Sequence, residues 1–378
     1  MKYNFDKVID RSGTSAEKVE GLKHIWGRTD LIPLWVADMD FATAPFVTDA
    51  IRKRCENEVL GYTGKPDSYY NAIINWVKQR YDLIVTKEVI NFVPGIVPGI
   101  GMAMNCFTQK GDKVMIQPPV YHPFAWVTTR NERTLVINPL KWENGMYRMD
   151  LDAFREQIKG CKLFILCNPH NPGGVVWTEA ELRAIADICY DEKVLVFSDE
   201  IHADLTLPPH THRPFATVSE KARMNSVTFM SPSKAFNMPG LSASHALIFN
   251  EDLRKRFRIY MDAGELDMGH VFAFLSVEAA YSHGTEWLDQ CLAYIQGNID
   301  FVDEFLKKHA PKIKAIRPEA SYLVWLDCRE LELSQKDLNE FFVDKAHLAL
   351  NDGEMFGKEG IGFMRLNVAS PRCIIEKA

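Results

Sequence analysis

The sequence has no Cys-x-x-Cys pair, no long apolar run and no broad basic stretch, and each absence excludes a class of protein. The eight cysteines are scattered, so neither a zinc ribbon nor a thioredoxin-type site is indicated. No apolar run approaches the roughly 20 residues that cross a bilayer, and the first residues contain no hydrophobic signal segment. We therefore expect a cytoplasmic protein whose cysteines are reduced thiols and which has no membrane partner.

The chain also has fewer basic than acidic residues. The 44 lysines and arginines are outnumbered by 50 acidic residues, which gives a net charge of −6. A general nucleic-acid binder usually carries a broad basic face. The densest basic cluster, at residues 254–258, is flanked by acidic side chains and is typical of a solvated helix face. No nucleic-acid partner is expected.

The chain alternates short apolar strands with helices. Its 378 residues exceed the roughly 250–300 at which one hydrophobic core stops growing, so two domains are expected. The alternation predicts an α/β protein with a mostly parallel sheet between helices. From about residue 285 the pattern changes to that of a smaller α+β domain. We predict an N-terminal arm at 1–45 that contributes to the small domain, a large domain at 46–284 and a small domain at 285–378. Residues 371–378 resemble a helix cut short, so a further turn or two is expected.

The predicted secondary structure places polar segments after strand ends. The predicted strands are 89–93, 113–116, 163–166, 194–197, 227–230, 246–249, 321–326 and 363–368, and the predicted helices are 97–107, 124–130, 179–190, 287–309 and 335–345. Parallel sheets bind ligands at the carboxyl ends of their strands. Four segments that follow strands therefore become candidates for a site.

Two of these segments carry ionisable groups. Lys234 follows a strand and has Ser231 and Ser233 beside it; a lysine there can form a Schiff base with an aldehyde, and the hydroxyls can hold a phosphate. Asp199 follows another strand and is suited to face a protonated pyridine nitrogen, because an opposite charge nearby favours the cation. Taken alone, the lysine loop is also typical of an ordinary turn, and Asp199 of a metal-binding or helix-capping acid.

The other two segments are turns. Residues 168–174, with two Asn-Pro units and a double glycine, predict a rigid loop that could present the Asn171 amide to a phenolic oxygen. Residues 94–99 lie between a strand and a helix, so the amides of Ile96 and Val97 would offer a phosphate seat at the helix N-terminus. Each turn alone is also compatible with a purely structural role.

The order of these segments resembles the fold-type-I pyridoxal-phosphate enzymes of the class I and II aminotransferase superfamily, over nearly the whole chain. Five strings carry a closer resemblance to its cystathionine β-lyase (carbon–sulfur lyase) branch, typified by the MalY/PatB proteins. They are Trp-Val-Ala-Asp-Met-Asp-Phe at 35–41, Gly-Tyr-Thr at 61–63, Asn-Pro-His-Asn-Pro-Gly-Gly at 168–174 with Val-Trp-Thr at 176–178, Ser-Asp-Glu-Ile-His at 198–202, and Ser-Lys-Ala-Phe-Asn at 233–237.

The resemblance implies pyridoxal 5'-phosphate as the cofactor and assigns catalytic roles. Lys234 would hold the cofactor as an imine and carry the proton, and Asp199 would pair with the ring nitrogen. Asn171 would bond the ring oxygen, and Tyr121 would stack on the ring, although a core-packing role for Tyr121 stays open. The remaining cofactor-binding residues implied are Ile96, Val97, Ser231, Ser233, His202 and Tyr62.

The resemblance also implies how substrate and subunits meet. Arg365 would clamp the α-carboxylate of an amino-acid substrate with its planar fork, with Trp35 and Tyr62 nearby. Tyr62 would reach the cofactor phosphate of the neighbouring subunit, which implies a homodimer with shared active sites. The implied reaction is α,β-elimination of cystathionine and cysteine thioethers to a thiol, pyruvate and ammonia.

Two positions depart from the aminotransferase pattern. Ser242 stands where many aminotransferases have a phosphate-binding arginine, and His202 stands where many have a tyrosine. Both favour the lyase branch over an aminotransferase on the same fold. His202 is equally compatible with a packed histidine bonded to a backbone carbonyl.

Two alternatives of other classes remain. Some members of the branch look able to influence transcription regulators through protein contact, so a regulatory protein partner is an alternative. A zinc hydrolase would have to use His202, His210 and His212, but no fitting ligand set accompanies them, so no metal is expected.

Overall fold

The protein is built around one large sheet, seen in a computed structural model that describes residues 2–378. Seven strands run in the order β2-β10-β9-β8-β7-β3-β4. All neighbouring pairs are parallel except those made by β10, which runs antiparallel to both β2 and β9. The strands are β2 (Ile90–Val93), β3 (Lys113–Ile116), β4 (Thr134–Ile137), β7 (Cys161–Cys167), β8 (Leu195–Asp199), β9 (Ser226–Met230) and β10 (Ser244–Leu247).

Helices cover both faces of this sheet, which explains why its central strands are almost continuously apolar. In β7, Leu163 and Ile165 pack in the cluster that contains α4 and α9, whereas Phe164 and Leu166 pack on the opposite side with α7. The helices of this part of the chain are α2 (Pro45–Cys55), α3 (Asp67–Tyr81), α4 (Ile96–Phe107), α5 (Pro123–Arg130), α6 (Leu151–Gln157), α7 (Glu179–Asp191), α8 (Glu220–Met224), α9 (Glu251–Asp262) and α10 (Val271–His283).

A second, antiparallel sheet forms from the C-terminal part of the chain, in the order β11-β12-β15-β14. The elements here are α11 (Thr285–His309), β11 (Lys314–Ile316), β12 (Leu323–Asp327), α12 (Gln335–Glu340), β13 (Leu348–Ala349), β14 (Asn351–Asp352), β15 (Phe363–Asn367) and α13 (Arg372–Lys377). A hairpin of β5 (Lys141–Glu143) and β6 (Met146–Arg148) completes the strands of the central region.

The N-terminal segment is tied to this second sheet region. It contains α1 (Glu17–Trp26) and β1 (Ile32–Pro33), and β1 pairs in parallel with β13. This pairing supports an arm that belongs with the small domain, while the division at residues 45 and 284 stays a prediction. No helix among residues 2–378 is both long and apolar enough to cross a membrane.

The structure confirms the predicted α/β fold with a mostly parallel sheet between helices. The predicted strand at 113–116 has the observed bounds, and the ends of the other predicted strands differ from the observed ones by at most two residues. The prediction missed α10, because its apolar side chains lie all round the helix and leave no polar stripe to reveal the helical period. The helix predicted at 335–345 is α-helical only to Glu340 and continues as a π-helical turn over Phe341–Lys345.

Candidate active site

A cavity of about 210 Å³ opens at the carboxyl ends of β7, β8 and β9. This is where a parallel sheet binds ligands, because the loops leaving neighbouring strands diverge there. Three of the four segments chosen from the sequence contribute a side chain to the cavity, and the fourth contributes the N-terminus of α4. The predicted site residues that line the cavity are Ile96, Val97, Tyr121, Asn171, Asp199, His202, Ser233 and Lys234.

Lys234 lies in the turn that follows β9, with its amine inside the cavity. Its Nζ donates to the carbonyl oxygen of Ala37, in the segment that leads from β1. Burial lowers the pKa of Lys234 to about 8, against the opposing effect of Asp38 and Asp199. The amine therefore loses its proton more easily than an exposed lysine does, as a nucleophilic or proton-accepting lysine must.

Asp199 is the last residue of β8 and is buried. Burial raises the pKa of Asp199 to about 7, although its Oδ1 accepts the N–H of Ile201 at 3.1 Å. A cationic partner in the cavity would favour the ionised carboxylate and reverse this shift.

Arg365 lies on β15, buried behind the cavity wall rather than in its lining. One terminal nitrogen donates to Asn171 Oδ1 at 3.0 Å, and the other donates to the carbonyl oxygen of Trp35 at 3.1 Å and to Asn351. Its Nε is buried and has no hydrogen-bond partner among residues 2–378. Burial lowers the pKa of the guanidinium to about 10, so Arg365 remains a cation in need of an anionic partner.

The N-terminus of α4 closes the opposite side of the cavity. The first N–H groups of a helix have no partner within it, so Ile96 and Val97 offer two donors at the positive end of the helix dipole. The hydroxyl-bearing Ser233, Ser242 and Ser244 line the same cavity. This set of neutral donors suits a phosphate group.

Two rings complete the lining. Tyr121 packs edge-on against Phe124, with ring centroids 5.7 Å apart, and faces the cavity. Burial lowers the pKa of His202 to about 3, so its imidazole is neutral. Its Nδ1 is buried and has no partner in the part of the chain that the structure describes, so this nitrogen does not bond a backbone carbonyl.

Comparison with known families decides the identity of this arrangement. Residues 29–372 match the family described as aminotransferase class I and II. The chain belongs to this family.

Similar proteins place it in one branch of that family. The chain is 39% identical to cystathionine β-lyase PatB of Bacillus subtilis, over 96% of this chain and 95% of PatB. It is 31% identical to the MalY protein of Escherichia coli, over 99% and 96% of the two chains. The PLP-bound C-S lyase from Staphylococcus hominis has 36% identity and a TM-score of 0.91, over 99% and 96% of the chains. The resemblance inferred from the five strings is thereby confirmed.

Besides Arg365, three predicted site residues of this class I and II aminotransferase family member do not line the cavity. The indole N–H of Trp35 donates to the carbonyl oxygen of Lys18 at 2.9 Å, and its ring packs against Trp26. The Ser231 hydroxyl donates to Ala243 O at 2.7 Å and accepts the N–H of Ser233, so it supports the lysine loop from behind. Tyr62 is 98% exposed in a segment without regular structure.

Sequence reasoning missed several residues of the site. Ala37, Cys167, Ser242 and Ser244 line the cavity. Ser242 attracts attention in the sequence only for the arginine that it replaces, and nothing distinguishes Cys167 from the other scattered cysteines. Ala37 acts through its backbone carbonyl, which side-chain chemistry could not reveal.

A buried acid and histidine lie directly behind Asp199 and were also missed. Glu200 accepts from His212 Nε2, from Ser198 Oγ and from the N–H of Phe215, each at 2.8 Å. Both side chains are almost fully buried, at 0% and 1% exposure. This pair anchors the loop that contains His212 to the end of β8 and so fixes the strand end that carries Asp199.

The three histidines considered for zinc do not gather at one place. His202 lines the cavity, His212 pairs with Glu200, and Nδ1 of His210 lies 3.7 Å from Glu319. Across residues 2–378, no group of three or more His, Cys, Asp and Glu side chains is arranged to hold a metal ion.

Proposed function

We propose that this chain is a pyridoxal-phosphate-dependent carbon–sulfur β-lyase of the cystathionine β-lyase type. The observation that carries the proposal is the cavity itself, in which a lysine of lowered pKa and a buried aspartate lie beside a helix N-terminus, with an anchored arginine behind the cavity wall. The relatives named as cystathionine β-lyase and C-S lyase align with nearly the whole chain, so they support the activity as well as the fold.

The donor set fits pyridoxal 5'-phosphate group by group. Lys234 would bind the aldehyde carbon covalently, and Asp199 would hold a proton on the pyridine nitrogen. The Asn171 amide would meet the ring oxygen, and Tyr121 would cover the ring. The amides of Ile96 and Val97, with Ser233, would hold the phosphate. Burial raises the pKa of Asp199 to about 7, and a protonated ring would supply the cationic partner that favours the ionised carboxylate.

When bound, the cofactor supplies an electron sink for negative charge at the substrate α-carbon. Arg365 binds the substrate carboxylate, using the fork whose Nε lacks a partner within the described chain. Asn171 and Asn351 hold that fork in place. The amine of Lys234 takes the α-proton, and the Ala37 carbonyl orients the amine for it. Overall, a cysteine thioether and one water give a thiol, pyruvate and ammonia.

Ser242 favours the lyase over the aminotransferase alternative. Ser242 lines the cavity and is uncharged. Many aminotransferases have an arginine at this position, which binds the phosphate. The two activities differ in whether an added keto acid is required. A lyase releases pyruvate from the amino acid and water alone.

The assembly and setting are proposed from the same family. We expect a homodimer in which Tyr62, exposed in the single chain, reaches the partner's cofactor. All eight cysteines are free thiols, as a cytoplasmic location would predict. A regulatory protein partner stays a prediction, and a pull-down from lysate of the source organism tests it.

The decisive experiment measures pyruvate from cystathionine and S-methylcysteine with no keto acid added. Wild-type enzyme should release pyruvate and show a visible absorption band that shifts on borohydride reduction. Lys234→Ala should lose both, whereas the exposed-lysine control Lys336→Ala should keep both. Turnover only in the presence of a keto acid would indicate an aminotransferase. A Lys234→Ala protein that keeps its band and its turnover would remove the central assignment.

A further inference from the structure

Tyr322 lies outside the lining of the active-site cavity but contacts a group that faces into it. Its hydroxyl donates to the carbonyl oxygen of Ala37 at 2.9 Å, and the amine of Lys234 donates to the same oxygen. Among residues 2–378, this carbonyl is the one hydrogen-bond partner of the amine. A carbonyl oxygen has two lone pairs, so it can accept from both donors at once. One oxygen atom therefore separates Tyr322 from the amine.

The hydroxyl of Tyr322 is a constant donor. The side chain is fully buried. Burial, reinforced by the charge of Asp38, raises the pKa of Tyr322 well above its ordinary range, so the hydroxyl keeps its proton at neutral pH. A buried hydroxyl without a partner costs free energy, which favours keeping the bond to Ala37.

Backbone hydrogen bonds hold Tyr322 from two sides. The N–H of Ser321 donates to the carbonyl of Leu205 at 2.9 Å, in the short helical turn that follows β8. The N–H of Val368, directly after β15, donates to the carbonyl of Tyr322 itself at 2.9 Å. The position of the hydroxyl is therefore fixed relative to both strands that supply the site, β8 and β15.

The Ala37 carbonyl depends on this hydroxyl for its orientation. It belongs to a segment with neither helix nor strand, so no regular backbone bond fixes its peptide plane. The carbonyls at positions 36 and 38 accept from the amide of Asn367, whereas the one between them accepts from Tyr322 and Lys234. When Lys234 is joined to the cofactor, the hydroxyl is the donor that remains on this oxygen.

We infer that Tyr322 is a positioning residue for the catalytic amine: its hydroxyl fixes the Ala37 carbonyl, which in turn orients Lys234 toward the reacting carbon. The inference deepens the proposed function and rests on it through the role of Lys234 as nucleophile and proton carrier. Tyr322 acts through Ala37 and touches neither cofactor nor substrate. Removing the hydroxyl changes no charge, so the expected effect is on the placement of the amine.

Attachment of the cofactor to apoenzyme tests this placement without any turnover. The amine joins the aldehyde carbon of pyridoxal phosphate with loss of one water, and stopped-flow absorbance follows the growth of the visible band. Tyr322→Phe should lower the rate constant about fivefold, because a displaced amine reaches the carbon less often. Pyridoxamine phosphate occupies the same cavity but has no aldehyde, so its Kd should stay within about twofold of the wild-type value.

Tyr147→Phe is the matched control. Tyr147 is also buried, and its hydroxyl also donates to a backbone carbonyl, that of Glu359 at 3.3 Å. This variant should show the wild-type rate and the wild-type Kd. The inference is overturned if Tyr322→Phe attaches pyridoxal phosphate at the wild-type rate. It is also overturned if attachment and pyridoxamine phosphate binding weaken equally, because the role of the hydroxyl would then be structural.

Alanine measures proton transfer by Lys234 separately from elimination, because this amino acid has no leaving group. NMR in D2O follows the replacement of its α-hydrogen by deuterium. Tyr322→Phe should lower the exchange rate at saturating alanine about tenfold, and Tyr147→Phe should leave it unchanged. Exchange at the wild-type rate in Tyr322→Phe overturns the inference. If wild-type enzyme exchanges this hydrogen but releases no pyruvate from S-methylcysteine, it is the proposed lyase function that fails.

Discussion

Lys234 and Asp199 experience the same burial with opposite consequences. Burial disfavours whichever form is charged, so it lowers the pKa of the lysine to about 8 and raises that of the aspartate to about 7. Strongly shifted pKa values of this kind cluster at functional sites, which fits the roles proposed for both residues. Asp199 is the last residue of β8 and Lys234 follows β9. Because these neighbouring strands are parallel, both residues lie at the same edge of the sheet.

Removing the guanidinium of Arg365 should weaken substrate binding and spare the cofactor. Loss of one partner of a buried charge pair costs about 2–5 kcal/mol, so Arg365→Ala should raise KM for S-methylcysteine by at least about 30-fold. Arg365 bonds to Asn171 and Asn351 and not to the residues proposed to hold the phosphate, so the phosphate site should be unchanged in this variant. Steady-state kinetics and a cofactor titration check this, with the exposed Arg317→Ala as control. Weakened cofactor binding with an unchanged KM would contradict the role.

Sequence reasoning worked best for side chains that leave strand ends. Asp199, Lys234 and Asn171 each follow a predicted strand, and the structure brings all three to the cavity. It worked less well for Trp35, whose ring turns toward α1, because that direction depends on the packing of Trp26. Ser231 was placed in the right loop, but its hydroxyl is taken by Ala243 O, a contact between residues that sequence spacing does not relate to each other. The roles of all these residues stay predictions until they are measured.

A substitution at Gly99 should displace helix α4 without changing any side chain that lines the cavity. A Cβ added at Gly99 would lie 2.9 Å from Val93 Cγ2 on β2 and 3.1 Å from Phe229 Cε1 on β9. The helix must then move away from the sheet, which displaces the N-terminal amides proposed to hold the phosphate. Gly99→Ala should raise the Kd for pyridoxal phosphate about tenfold in an absorbance titration.

Gly240→Ala is the matched control for this substitution, because a Cβ there meets open space. It should bind the cofactor like wild type. A Gly99→Ala enzyme with wild-type cofactor affinity would show that the α4 N-terminus is not the phosphate seat.

Strand β10 contains a histidine that should make the fold sensitive to acid. His245 is fully buried beside Tyr281, and neither ring nitrogen has a partner in the chain described from residue 2 onward. Burial lowers its pKa from 6.5 to about 3. Below pH 6.5 His245 therefore binds a proton in the unfolded chain but not in the folded protein. His245 alone lowers the free energy of unfolding by about 1.4 kcal/mol for each unit that the pH falls between 6.5 and 3, and it contributes no pH dependence above 6.5.

Replacing His245 with an apolar side chain should remove the part of the pH dependence of unfolding that comes from this histidine. Relative to wild type, His245→Leu should gain about 2 kcal/mol of stability between pH 6.5 and pH 4.5, measured by urea denaturation of the holoenzyme. The exposed His24→Leu variant serves as control and should follow the wild-type pH dependence. Parallel curves for wild type and His245→Leu would mean that His245 is protonated in the folded state.

At the scale of the whole chain, residues 35–38 join the two sheets at the active site. Their backbone carbonyls accept from side chains of both: Trp35 O from Arg365, Val36 O from Asn367, Ala37 O from Lys234 and Tyr322, and Asp38 O from Asn367 and Lys18. The string at 35–41 stands out in the sequence only through the family resemblance. Its structural role could not be predicted from the side chains, because the hydrogen bonds are accepted by backbone carbonyl groups. A change in this segment would move the lysine and the arginine together.

The shared active site predicted for the dimer can be tested by mixing two inactive subunits. Lys234→Ala removes the amine of a subunit's own site, whereas Tyr62→Ala removes the side chain proposed to serve the partner's site. In a hybrid dimer, one site then carries both changes and the other carries neither. Random pairing after co-expression makes half of the dimers hybrid, so about a quarter of wild-type activity should return.

The control pairs Lys234→Ala with Asp199→Ala, two changes within the same subunit's site. Every site of that hybrid has one defect, so no activity should return even though the subunits pair equally well. Sedimentation of each mixture confirms that dimers have formed. Recovery with Tyr62→Ala but not with Asp199→Ala requires Tyr62 to act across the interface, because no arrangement within one chain can separate the two pairs. No recovery in either mixture would place Tyr62 in its own subunit's site, and a fully active Tyr62→Ala homodimer would place it outside the active site of either subunit.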